Sequence, residues 1–313
     1  SCKGAEAYSV SEICPICGSE SKLIRKFSLL DAPGHETLMT TAISASSITD
    51  GAILVIAANE PCPQPQTAEH LNVLEVLDVD NIVVIQNKID IVGIEKAKEN
   101  YNQIKEFLKG TKAENAPIIP MVANQGLNID VLLKTVYEKI PLPERKPTSK
   151  LRMYIARSFD VNKPGTELQK LNGAVIGGSI IEGKIIEGQE IEISPGIIID
   201  KKKGEFEPII TKVQNIRTGN DKVSEAGPGG LLALSTLLDP ALAKSDGLVG
   251  QIVGLPGTLP SAVKKLKMKY KLISRELEDN SNLSLQLNEP IVLSVGTAIT
   301  VGVIISMKKD LIE

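Results

Sequence analysis

The run Ile82-Val-Val-Ile-Gln86 is apolar at nearly every position and stops at Asn87-Lys88-Ile89-Asp90. A strand with one solvated face alternates; a strand without alternation is buried on both faces, as in a parallel sheet covered by helices. Ala52-Ile-Leu-Val-Ile-Ala57 reads the same way, and 116–122 is a third strand. A further apolar stretch, Leu23–Leu30, predicts a strand that delivers Asp31 to a loop. Between these runs the spacing changes to that of helices: Glu36–Ser47, Thr67–Leu77 with Thr67 as N-cap, Glu95–Leu108 and Asn128–Tyr137. Strand and helix in alternation predict an α/β, doubly wound, mostly parallel sheet over residues 1–146.

The pattern breaks after Ile140-Pro-Leu-Pro143 and a polar linker. Short, β-branched, glycine-punctuated segments follow: Met153–Phe159, Ala174–Ile181, Glu190–Ile193, Ile209–Ile216, Leu231–Leu234 and Gly250–Val253. These predict a β-barrel over 147–257. Pro256-Gly257-Thr-Leu-Pro260 marks a second break, and 258–313 reads as a further, incomplete β-barrel domain with strands at Lys264–Leu272 and Ile291–Met307. Aromatic residues are only 3% of the chain and Trp is absent, so the cores must rest on Ile, Leu, Val and Ala.

Two stretches carry chemistry. Asp31-Ala-Pro-Gly34-His35 places a carboxylate, then a glycine, at the end of a strand. A carboxylate can hold Mg²⁺ through water, and a glycine lets the backbone approach a phosphate. Taken alone this is a common turn. Asn87-Lys88-Ile89-Asp90 is more specific, because it ends a buried strand, where open α/β sheets bind ligands. An aspartate such as Asp90 accepts two hydrogens together from guanine, its ring N–H and its exocyclic amine, whereas adenine would leave the carboxylate unpaired. The Lys88 stem can lie along the base face, and Asn87 can tie this loop to its neighbours. The two stretches together predict a guanine-nucleotide domain. A third signal is Cys14-Pro-Ile-Cys17-Gly18: two thiolates at this spacing can grip one Zn²⁺, with Cys2 as a possible third ligand. Cys62 lies far from these and is not assigned.

Asp31–His35, then Asn87–Asp90, then β domains, resemble the translational GTPases. Three further stretches resemble the gamma-subunit family of archaeal and eukaryotic translation initiation factor 2: Ala57-Ala-Asn-Glu-Pro-Cys-Pro-Gln-Pro-Gln-Thr67-Ala-Glu-His70, Arg157-Ser-Phe-Asp-Val-Asn-Lys-Pro-Gly165 and Gly173-Ala-Val-Ile-Gly-Gly-Ser179. The cysteine knuckle ahead of Asp31 is also that family's feature. The resemblance implies a GTPase that binds methionylated initiator tRNA, carries it to the small ribosomal subunit and hydrolyses GTP on start-site selection, slowly without partners. It implies a heterotrimer with alpha and beta subunits, GTP or GDP with Mg²⁺, a structural Zn²⁺ and a cytoplasmic location. By motif position, Asp31 is the Mg²⁺-side carboxylate, Gly34 meets the gamma-phosphate and His35 orients the attacking water. Asn87, Lys88 and Asp90 read guanine, and the backbone N–H of Ala123 meets the guanine carbonyl oxygen. Val122 stands where such GTPases carry serine. An elongation-type GTPase delivering aminoacyl- or selenocysteinyl-tRNA is the alternative, since it shares the domain order.

No Gly-x-x-x-x-Gly-Lys-[Ser/Thr] loop stands ahead of Asp31, and the switch threonine is not found. The nearest match, Gly178 to Ile185, has no hydroxyl at its last position and no helix behind it, so it reads as strand and turn. The expectation is a retained part of a longer protein whose phosphate-loop segment is missing. The formal charge of −3 argues against a general nucleic-acid coat. The lysines at 264, 265, 267, 269 and 271 are a modest candidate phosphate-backbone face. Lys201–Lys203 reads as a hairpin tip, and His70 as a structural histidine on its helix. No apolar run approaches the ~20 residues of a membrane span, and no partner in a membrane is expected.

Overall fold

The computed structural model describes residues 2–32, 43, 47–200, 203–270, 272 and 284–313. The chain divides into two compact units, Ser1–Glu144 and Arg145–Glu313.

The first unit holds β1 (Ala52–Ala57), α1 (Pro65–Val76), β2 (Ile82–Asn87), α2 (Ile94–Leu108), β3 (Ile118–Pro120) and α3 (Ile129–Lys139). The strands form a parallel sheet in the order β1-β2-β3, with Leu54 opposite Val84 and Val84 opposite Ile118. Alternate residues go to opposite sides. Leu54, Ile56, Ile82 and Val84 pack with Leu71 of α1 and with Ile104 and Leu108 of α2. Val83, Ile85, Ile119 and Met121 pack with Val136 of α3. Helices on both faces make the sheet doubly wound, as the unbroken apolar run of β2 requires.

Three expectations for this unit need correction. Residues 23–30 form no ladder: Leu23 is 70% and Leu29 81% exposed. A strand is stabilised by a neighbour that pairs its backbone groups, and no described strand lies alongside. What ties this stretch down is Arg25, whose guanidinium donates to the Ile140 carbonyl and lies 4.9 Å from the Phe27 ring centroid. The first helix starts at Pro65, with Gln64 as N-cap instead of Thr67. Proline suits that position because its missing N–H would have had no partner in the first turn. β1 is covered on one face only, with Ile53 36% and Val55 56% exposed. Apart from residues 43 and 47, the helix expected over 36–47 lies outside the described residues, as do Gly34 and His35.

In the second unit, β4 (Arg152–Phe159), β5 (Val175–Glu182), β6 (Ile185–Ile186), β7 (Glu190–Asp200), β8 (Glu205–Thr218), β9 (Asp221–Val223), β10 (Glu225–Ala226), β11 (Leu232–Thr236) and β12 (Ile252–Gly254) follow in order. The ladder runs β11-β5-β4-β12-β7-β8 and returns to β11, so six strands close a barrel with no free edge. Its interior is aliphatic: Met153, Ile155, Ile176, Ile180, Ile191, Ile193 and Leu234 are all fully buried. The loop-like match at 178–185 is β5, a left-handed turn at Gly183 (φ 76°) and β6, and Ile185 is part of the core. A Cβ on Gly178 would lie 1.8 Å from the Tyr154 carbonyl oxygen, which is why β5 carries glycine where it pairs with β4.

Residues beyond the barrel form two small antiparallel sheets. One is the hairpin of β14 (Pro290–Val295) and β15 (Ala298–Val303); the other joins β13 (Met268–Lys269), β17 (Leu311–Ile312) and β16 (Met307–Lys308). Among the described residues the strand expected over 264–272 is limited to Met268–Lys269, which pair with Ile312 and Leu311 of β17. Lys264, Lys265 and Lys267 lie outside any strand, with Lys264 donating to the Lys203 carbonyl and Lys267 pairing with Glu313 at 3.6 Å, so strand alternation does not order these three lysines; Lys271 lies outside the described residues.

Candidate nucleotide site

Parallel strands end on the same side of a sheet, so the loops after β1, β2 and β3 share one edge. The end of β2 is pinned first. Gln86, 2% exposed, donates from Nε2 to the Ala97 carbonyl at 2.7 Å and to Asn100 Oδ1 at 2.9 Å. Asn100, 3% exposed, donates onward to the Glu60 carbonyl at 2.8 Å. One buried polar chain thus joins β2, α2 and the loop after β1. The Ala58 N–H donates to the Asn87 carbonyl at 2.8 Å, which fixes the same two loops through backbone.

On this base the sequence-predicted residues converge. Asn87 Oδ1 accepts the Ala123 N–H at 3.1 Å, joining the loops after β2 and β3. Lys88 takes a left-handed backbone (φ 61°, ψ 36°), unusual for a residue with a Cβ, and the chain turns sharply there. The turn carries Asp90 in the short 3-10 segment Ile89–Ile91, with its carboxylate at the surface. The Ile89 N–H donates to the Met121 carbonyl at 3.4 Å. The facing 3-10 segment, Ala123–Gln125, ends at Gly126 (φ 73°), and Asn128 holds its far side by donating to the Pro120 carbonyl at 2.7 Å. Gln125 Nε2 reaches across and donates to Asp90 Oδ2 at 3.3 Å. Asn87, Lys88, Asp90 and Ala123 therefore share one sheet edge. Ala123 is placed differently from its expected role in one respect: its N–H is already donated to Asn87. Asp31 is exposed in an irregular segment.

Gln125 and the Gln86–Asn100–Glu60 chain were not read from the sequence. The one local signal was a glutamine closing an otherwise apolar strand at Gln86. Their partners lie 11 to 40 residues away, beyond any periodic pattern.

The cysteines form a second cluster. A tight turn over 14–18, with the Gly18 N–H donating to the Cys14 carbonyl at 3.0 Å, brings Cys14 and Cys17 together. The Sγ atoms of Cys2, Cys14 and Cys17 all lie within 4.8 Å of one another, and those of Cys2 and Cys14 are 3.7 Å apart. Tetrahedral thiolates at ~2.3 Å from Zn²⁺ sit ~3.8 Å apart, so the donor set fits zinc. The Ser19 hydroxyl, 3.5 Å away, and then its backbone N–H hold the Cys17 thiol down to about 6. Hydrogen bonding with Cys17 and Cys14 pushes the Cys2 thiol up to about 11. Cys62 is half-buried and remote, its thiol raised to about 11 by desolvation.

Comparisons with known proteins place these features. The elongation factor Tu GTP-binding domain family matches residues 12–142, and the C-terminal family of initiation factor eIF2 gamma matches residues 264–313. The translation initiation factor 2 gamma subunit of Methanococcus aeolicus is 51% identical over 316 aligned residues, covering 100% of this chain and 77% of its own. The chain belongs to the translation initiation factor 2 gamma-subunit family. The counterpart from Archaeoglobus fulgidus is also 51% identical, with 74% of its length covered. Among solved structures, translation elongation factor SelB from Methanococcus maripaludis, in complex with a GTP analogue, superposes with a TM-score of 0.69 at 26% identity. The match covers 87% of this chain and 54% of that one. A bacterial selenocysteine-specific elongation factor at 24% identity and TM-score 0.70 shares the fold. The expected architecture, a GTPase domain followed by β-barrel domains, holds. As a member of the gamma-subunit family the chain is a translation-initiation GTPase, a class that works with GTP or GDP and Mg²⁺. Among the described residues no helix is long and apolar enough to cross a membrane.

Proposed function

We propose that this chain is the nucleotide-reading part of a GTP-switched carrier of methionylated initiator tRNA, acting in the cytoplasm. The observation that supports it most is the convergence of Asn87, Lys88, Asp90 and Ala123 on one sheet edge. In this reading Asp90 accepts the guanine ring N–H and exocyclic amine, and Lys88 packs its stem along the base. Asn87 holds the loops in register, and the Ala123 N–H, while still donated to Asn87 Oδ1, is shared with the guanine carbonyl oxygen as the base enters. Asp31 holds Mg²⁺ through water, Gly34 meets the gamma-phosphate and His35 orients the attacking water; these three roles rest on motif position. Mg²⁺ bound with GTP supplies charge neutralisation on the phosphates. Domain boundaries at 146/147 and 257/258 follow the breaks in sequence pattern. Cys2, Cys14 and Cys17 hold a structural Zn²⁺.

Alpha and beta subunits complete a heterotrimer in this proposal, and the small ribosomal subunit receives the tRNA. Similarity at 51% to initiation-factor gamma subunits favours this over elongation-type delivery, for which the structural neighbours are 24% to 27% identical. Binding of initiator and elongator tRNA to the full-length GTP-bound protein separates the two. A preference for initiator methionyl-tRNA is expected, and equal binding of selenocysteinyl- or elongator tRNA would overturn the assignment.

A further inference from the structure

Guanine reading by a carboxylate needs both oxygens presented in the plane of the base. A free aspartate on an exposed turn rotates about χ2, which is broad and roughly two-fold. Asp90 stands on such a turn, at the surface of a three-residue 3-10 segment. Val122, which precedes the facing 3-10 segment, is apolar and 3% exposed and offers the carboxylate no donor from its side chain. The carboxylate is instead met by Gln125, whose Nε2 donates to Oδ2 at 3.3 Å across 35 residues of sequence.

We infer that Gln125 is a positioning residue for Asp90 and thereby sets guanine specificity, a role that rests on the base-reading function proposed for Asp90. Three features make it suited to this. Its own segment is tied to the Asp90 loop by the Ala123 N–H donated to Asn87, and is closed on itself by the 3-10 bond from the Gly126 N–H to the Ala123 carbonyl at 3.3 Å. The same asparagine begins the loop that carries Asp90, so the two turns move as one. Gln125 is neutral, so it orients the carboxylate without competing for its charge. It engages only one lone pair of Oδ2, which leaves the others for guanine. Gln125 does not touch the base; it restricts the rotation that a bidentate contact would otherwise have to freeze on binding.

The test uses the full-length protein and two probes, GDP and IDP. IDP lacks the exocyclic amine and so makes one contact fewer with Asp90. Gln125→Ala is expected to weaken GDP about fivefold, the scale of one ordinary net hydrogen bond, and to weaken IDP less, so that the GDP/IDP ratio narrows. Gln125→Glu places a like charge beside Asp90 and is expected to weaken GDP more than alanine does. Melting temperature serves as the control for a merely structural effect and is expected to stay within about 1 °C. In the Asp90→Asn background, Gln125→Ala is expected to have no effect on GDP beyond that of Asp90→Asn. If Asp90→Asn weakens GDP while Gln125→Ala leaves both GDP affinity and the GDP/IDP ratio unchanged, the role of Gln125 is overturned and base reading stands. If Asp90→Asn itself leaves GDP affinity unchanged, base reading falls and the role of Gln125 falls with it.

Discussion

The buried chain Gln86–Asn100–Glu60 gives a prediction whose size can be worked from geometry. Asn100→Leu removes two hydrogen bonds, the one accepted from Gln86 at 2.9 Å and the one donated to the Glu60 carbonyl at 2.8 Å. Glu60 is exposed, so water can serve its carbonyl. Gln86 is 2% exposed and cannot turn to water, so one of its two amide hydrogens is left buried and unpaired. Such a group costs ~1–3 kcal/mol, and the lost tie to the loop adds ~0.5–1 kcal/mol. A total of ~1.5–4 kcal/mol lowers the midpoint of a unit of this size by ~3–16 °C. The companion Gln86→Leu leaves Asn100 Oδ1 unpaired and is expected to cost a similar amount. The double variant removes both members and buries two leucines, so it is expected to be more stable than either single variant. Urea unfolding monitored by circular dichroism measures all three. Costs that simply add in the double variant would refute the reasoning, because they would mean that neither amide was left unsatisfied by loss of the other.

Three further outcomes test other parts of the account. Gly178→Ala drives a methyl to 1.8 Å from the Tyr154 carbonyl oxygen at the β4–β5 pairing, and backbone must move; a loss of at least ~2 kcal/mol is expected by chemical denaturation, and a neutral result would contradict the close strand approach. Cys14→Ser with Cys17→Ser is expected to abolish the zinc content measured by mass spectrometry of the purified full-length protein, and unchanged zinc would remove those ligands. His35→Ala is expected to lower partner-stimulated GTP hydrolysis by ~10²–10⁴-fold while sparing GTP affinity, and unchanged stimulated turnover would show that another group orients the water.

The parts of this molecule that declare themselves in sequence are those set by periodicity. β2 is apolar without alternation because helices cover both its faces, and that pattern alone predicts a parallel sheet. The barrel segments are short and β-branched because each has one face in an aliphatic core, and all six principal strands were anticipated to within a few residues at one or both ends. Asn87–Asp90 was legible because a polar tetrapeptide interrupts such a strand at the edge where α/β sheets bind ligands. Position in the ladder was not legible. Leu23–Leu30 has strand composition, but pairing depends on a neighbouring edge that composition does not report. Thr67 is a good capping residue, yet Pro65 starts the helix one half-turn earlier because its fixed backbone already suits the first helical position. Gln125 and Asn100 look like ordinary surface amides in sequence. Only the fold brings the first to Asp90 and the second to Gln86, and those contacts decide what the residues do.

The central claim is that Asp90 reads guanine, and the direct measurement is nucleotide affinity of the full-length Asp90→Asn variant. An asparagine presents an N–H where the carboxylate presented an oxygen, so the exocyclic amine of guanine meets a second donor, whereas the carbonyl that xanthine carries at that place accepts from the asparagine N–H. GDP is expected to weaken by two orders of magnitude or more, on the order of 3 kcal/mol, while XDP gains. Equal GDP affinity in the variant and the parent, with no gain in XDP, would contradict the account.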